Sequence, residues 1–304
     1  MEQTTAPLPV GARILTKAEA ANVDLGPLTQ LQGTWKSANG MGWNVIAVPG
    51  PPSQEFILEV IPYIETLTFT PVVAASNRGP FVNGTEEVQQ LVGLMYEQVI
   101  VSTCNTPFCN ARGFGNGQQI HAERGIILNI QNLNSNFDIV RLSTIPHGNS
   151  VLAPGNASTA LPPNNNFFGS ASTMPKAVTG NLPFGYGEGQ YDTLQFPVFP
   201  QTNPNLFLQK TLGSQQLTSL TTLSFSTKNN DGGILNIPFI QQNINATDME
   251  STFWIETIKN PKAGQPDILQ LQYTQTINLV FPPTGVKLPV IWPHVTVNTL
   301  LKVS

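Results

Sequence analysis

Charge is what this chain has least of. Its 14 Lys and Arg and 18 Asp and Glu make 11% of 304 residues, against roughly 25% in an average soluble protein. The net charge is −4 and no basic cluster exists, so no surface suits a phosphate backbone and nucleic acid is not expected as a partner. Long apolar runs are missing too, none reaching the ~20 residues of a membrane-spanning helix. "MEQTTAPLPVGARILTKAEAANVDLG" has neither the basic nor the apolar region of a secretory signal. A soluble, cytoplasmic protein without membrane contact is the expectation. Asn83, Asn156 and Asn245 stand in glycosylation sequons, but such triplets arise often by chance in an Asn-rich chain. Cysteine is confined to Cys104 and Cys109 in "CNTPFC". That spacing is neither a C-x-x-C redox site nor the C-x-x-C-H of covalent haem attachment, and a zinc ion would lack two nearby ligands. A local disulfide and two free thiols remain equally open. G-x-S-x-G, H-E-x-x-H and Walker A sequences are absent. "GFGNGQ" (113–118) has no strand–helix unit around it and reads as a hairpin loop.

What the chain does have is β-strand pattern. "FILEVIPYIETLTF" (56–69), "LVGLMYEQVIV" (91–101), "IVRLSTI" (139–145), "LTTLSFST" (220–227) and "TFWIETI" (252–258) are rich in β-branched and aromatic residues and separated by Gly, Pro and Asn. In "LQLQYTQTINLVF" (269–281) apolar and polar residues alternate, the period-2 mark of a half-buried strand. Gln275 interrupts the apolar side and is expected to point inward. Only "TKAEAAN", in an N-terminal arm over 1–28, and 86–91 suggest helix. The stretch 146–215, with "NNN" and "FGYGEG", reads as a loop-rich insertion covering a site or forming an interface. These features predict one all-β domain over 1–304, an antiparallel up-and-down barrel with long Pro/Asn-rich insertions.

Histidine is scarce, with only three in the chain. His121 in "QQIHAERGIIL" shares its strand face with Glu123, which is placed to orient it. His147 ends a strand at a Pro–His–Gly turn. His294 in "WPHVTVNTL" is expected to project from a final strand, because Pro293 biases its neighbour to extended backbone and β-branched residues follow. A lone strand histidine is more often structural than a ligand.

Four motifs shift that weight. "LQGTWKSANGMGWNVI" (31–46), "YIETLTF" (63–69), "IHAERGIIL" (120–128) and "PHVTVNTLLK" (293–302) resemble, in order, the conserved strands of nitrobindin-like haem-binding β-barrels. The resemblance implies a lipocalin-like barrel holding haem b non-covalently. It implies His294 as the iron ligand, His121 near the distal face and Trp35 as a further cofactor contact. Chemistry on small oxidants or gases (peroxynitrite, nitric oxide, peroxide) would follow, isomerase- or peroxidase-like. Arg141 or Arg78 would stabilise developing negative charge beside a catalytic His121. The family domain is about half this length, so 156–250 has no counterpart in it. Two other functions compete: a non-catalytic, lipocalin-like carrier of an apolar molecule, and a structural β-sandwich assembling as a homo-oligomer.

Overall fold

Alternation of inward and outward side chains organises the computed structural model, which describes residues 13–14, 24–38, 40–49, 56–131, 137–161, 165–182, 202–281 and 289–303. Fourteen strands among these residues form one antiparallel sheet. They are β1 (Arg13–Ile14), β2 (Gly33–Ser37), β3 (Gly42–Pro49), β4 (Phe56–Val82), β5 (Thr85–Ser102), β6 (Gln119–Gln131) and β7 (Ile139–Ile145). After these come β8 (Asn149–Ala160), β9 (Lys176–Ala177), β10 (Leu217–Ser226), β11 (Gly233–Asn236), β12 (Asn245–Ile258), β13 (Ile268–Phe281) and β14 (Val290–Lys302). The neighbours run β4, β2, β14, β13, β12, β10, β8, β7, β6, β5, and β5 pairs again with β4, which closes the ring. Both β2 and β3 lie between β4 and β14, so they share one position; β10 and β11 likewise share the edge of β8. The expected up-and-down barrel is thus observed, and closure leaves its sheet no free edge around the ring.

The predicted strands lie within observed ones, except that 220–227 runs one residue past the end of β10, and there are two larger differences. Residues 86–91, expected as helix, belong to β5, where pairing with β4 overrides local propensity. The start of 146–215, expected as loop, is β8, paired with β7, β10 and β11. The "TKAEAAN" helix lies outside the described residues.

One end of the barrel is a floor. The 3-10 helix Gly26–Leu31 places Leu28 and Leu31 inside, Trp35 Nε1 donates to the Leu31 carbonyl at 2.8 Å, and Lys302 Nζ donates to the Gln30 carbonyl at 2.9 Å. Above it Phe69, Tyr96, Phe225, Phe253, Leu271 and Tyr273 meet in a filled core. An interior hollow lined by Phe and Leu is therefore not what this half of the barrel contains.

The outward face of β12, β13 and β14 is covered as well. Trp43, Trp254, Val295 and Val297 pack against Phe167, Phe168, Phe207 and Leu208 from the insertion and its helix Asn205–Leu212. This cover corrects the half-buried reading of β13. Gln270, Gln272 and Thr274 are buried, and they bond Glu256, the Leu208 carbonyl with Thr299, and Asn205 respectively. Glu256 is fully buried, and burial raises its pKa to about 8 against the opposing Gln270 hydrogen bond. Cys104 and Cys109 are disulfide-bonded across the helix Pro107–Ala111 and bury with Ile61 and Phe114.

Candidate functional site

The inward residues of β14 set the layers of the interior. Leu300 faces Leu271 in the floor half; Asn298 is opposite Tyr273, Thr296 opposite Gln275, His294 opposite Ile277 and Trp292 opposite Leu279. Between apolar floor and upper rim lies a polar waist that an all-apolar interior does not predict.

At the first level of the waist Glu65 accepts from Gln98 Nε2, Tyr273 Oη and Asn298 Nδ2, each at 2.7 Å. Burial raises the pKa of Glu65 against these three hydrogen bonds. Burial also pushes the Tyr63 and Tyr273 phenols, 2.9 Å apart, well above their ordinary range. These three side chains were not singled out from sequence, although Tyr63 and Glu65 share the inward parity of Leu67 and Phe69 in "YIETLTF".

Beside this level, Arg141 Nη2 donates to Glu123 Oε1 at 2.7 Å, with both side chains buried. Arg141 Nη1 reaches Ser251 at 3.0 Å and Gln275 Oε1 at 2.8 Å, and Arg141 Nε reaches the Tyr96 hydroxyl at 2.9 Å. Gln275 is inward, as its alternation implies. Tyr96 donates to the same Glu123 oxygen. Room for its ring comes from Gly125, where a Cβ would stand 2.6 Å from a Tyr96 ring carbon. Burial opposes charge on Glu123, but the Arg141 guanidinium and then His121 hold its carboxyl well below the usual range. Its second oxygen, Oε2, has no hydrogen-bond partner and lies 3.6 Å from His121 Nε2.

All three histidines gather at this rim. His121 opens β6, His147 sits in the β7–β8 turn and His294 lies near the start of β14. The rings of His121 and His147 stack with centroids 5.8 Å apart. Burial and the charge of His121 lower the His147 pKa. Burial takes His294 down to about 3, with the charges of His121 and His147 acting in the same sense. His294 is therefore a neutral imidazole at neutral pH. Its Nε2 faces Asn44 Oδ1, 2.5 Å away, and Thr296 Oγ1 donates to the same oxygen at 3.4 Å. A carbonyl oxygen only accepts, so Nε2 carries the proton and the lone pair falls on Nδ1.

The structure brings His121 and His294 to one end, sets Arg141 in the waist next to Glu123, and leaves the other expected residues elsewhere. Trp35 is opposite Lys302, eight residues along β14 from His294, or about 27 Å at strand rise. It seals the floor and does not share a cofactor with His294. Arg78 pairs with Glu86 on an exposed hairpin outside the barrel. Asn44 and His147 are the rim residues that sequence reading did not assign. Among the described residues no group of three His, Cys, Asp or Glu side chains is arranged to hold a metal ion directly.

Among those residues, no helix is long and apolar enough to cross a membrane. No protein-family model and no curated protein matches the chain. Among solved structures it is similar to the crystal structure of Rv2717c from M. tuberculosis, with a TM-score of 0.42 and 14% identity over 92% of this chain and 100% of that one.

Proposed function

We propose that the protein is a haem-binding β-barrel that holds haem b non-covalently at its histidine rim and binds or acts on small oxidants or gases. The observation that carries this reading is the convergence of the chain's three histidines, far apart in sequence, on one end of the barrel. The order of the nitrobindin-like motifs around His121 and His294 supports it independently.

The donor set fits the group. A haem iron needs a neutral imidazole whose other nitrogen donates to an oriented acceptor. His294 is neutral and half-buried, and Asn44 is such an acceptor, so Nδ1 is the nitrogen that offers a lone pair. Trp292, Leu279 and Ile277 give the adjoining wall apolar character. When bound, ferric haem supplies an open coordination position for a small ligand. His121 would hold or pass a proton at Nε2, and Glu123 steadies that ring. Arg141 acts one step back: its charge is committed to Glu123, so it serves as a positioning residue. A lipid carrier has less support, because the floor half is filled with aromatic side chains.

Titration of the purified protein with haemin tests the proposal. A Soret band that is saturable in the wild type and lost or shifted in His294→Ala is expected. Absence of any band in the folded wild type overturns it.

A further inference from the structure

The β4–β5 hairpin runs on past the barrel wall. β6 pairs with β5 only as far as Gln90, and the turn at Asn83 and Gly84 lies some six residues beyond, about 20 Å at strand rise. Among the described residues the last two rungs, Phe81 with Glu86 and Val82 with Thr85, adjoin no third strand. Phe81 and Val82 are exposed by 70% and 38%. A projecting ribbon with uncovered edges and an apolar tip pairs readily with other chains unless something blunts it.

The means of blunting it stand in the turn itself. Asn83 and Gly84 have φ of 51° and 80°, the left-handed pair of a two-residue turn that favours Asn followed by Gly. Thr85 completes an Asn-x-Thr acceptor triplet, which the turn does not call for. Asn83 is exposed, and a Cβ at Gly84 would meet nothing within 4 Å, so the tip has open space for a bulky group. A sugar acceptor belongs on a surface loop, and the other two triplets begin in strands. Asn156 is paired with Ser224 of β10, and Asn245, with its Oδ1 buried, opens β12. Independently, the chain's two cysteines are bonded to each other, as in proteins that mature in an oxidising compartment.

We infer that Asn83 carries an N-linked glycan, acquired on a secretory route, that shields the exposed hairpin tip. This replaces the cytoplasmic location expected from sequence and does not rest on the haem reading. The donor is a polyprenyl-diphosphate-linked oligosaccharide. Asn83 Nδ2 bonds to its anomeric carbon, the bond from that carbon to the diphosphate oxygen breaks, the polyprenyl diphosphate leaves, and Nδ2 releases one proton.

The test is to direct the full chain through the secretory route of a eukaryotic host. Intact mass and peptide mapping then follow, before and after peptide N-glycosidase. The expected product exceeds the chain's 32.9 kDa, loses the excess to the enzyme and maps to Asn83. Thr85→Val keeps both turn residues and should abolish the excess. By light scattering that variant should self-associate several-fold more than the wild type, and Phe81→Ser added to it should reverse the gain. Circular dichroism confirms that each variant is folded. A secreted wild type unmodified at Asn83 overturns the site; a glycosylated wild type that self-associates as much as Thr85→Val overturns the shielding.

Discussion

Arg141 and Glu123 form an ion pair taken almost wholly out of water, and that makes each dependent on the other. Removing only the guanidinium leaves a carboxylate buried with no compensating charge, which costs about 3–5 kcal/mol. Arg141→Met should therefore lower the urea midpoint sharply, and Glu123→Gln added to it should recover much of the loss. If the double variant is no better than the single, the pair is not the unit described. Acid works on the same region through His294. Its folded pKa of about 3 lies below the ordinary histidine value, so the folded state resists protonation. The resulting stability is complete above about pH 6.5 and declines as pH falls from there towards 3. Part of this chemistry was legible residue by residue: Gln275 inward from its place in the alternation, and His121 beside Glu123 from shared parity. The meeting of His121, His147 and His294 was not, because three separate strand registers decide it. Asn44 was equally hidden, since nothing local distinguishes it from the other Asn residues of the chain.

The seam between β12, β13 and the insertion is where element-scale behaviour should show. Glu256 has its pKa raised to about 8 by burial, so the folded state keeps a proton that the unfolded chain releases near pH 4.3. Stability from this group is complete below that lower value and falls as pH rises through about 8. Glu256→Gln should flatten this decline in denaturant titrations between pH 5 and 8; an unchanged slope would place its origin elsewhere. The disulfide clasps a much smaller element. Closing a loop of six residues contributes about 2 kcal/mol in the chain-entropy account, so reduction should lower stability by that amount without dissolving the barrel. Strand pattern made the elements themselves readable, because period-2 alternation survives wherever one face is buried. It failed on β13 for a definite reason. Gln270 and Gln272 look solvent-facing in sequence, yet a distant segment lies over them and bonds their amides. Residues 86–91 misled in the opposite way, since long-range pairing with β4 outweighs a run of Glu and Gln with helical propensity.

At the scale of the molecule, most stabilising neighbours are far apart in the chain. β14 is paired with β13, but also with β2 and β3, some 250 residues earlier. Such topologies fold slowly because loop closure precedes the contacts that reward it. Refolding of the oxidised protein after rapid dilution from urea should take seconds or longer, followed by tryptophan fluorescence. A millisecond-complete reaction would contradict a ring closed by its ends. The fold class was legible in the sequence, whereas the order in which the ring is completed was not.

Lys302 reaching the Gln30 carbonyl, and Trp35 held beneath it, bears on synthesis. Until the ribosome has delivered Val290–Lys302, the emerging polypeptide presents two bare edges, on β2 with β3 and on β13. Biosynthesis must shelter those edges from neighbouring nascent chains before the last stave locks the cask.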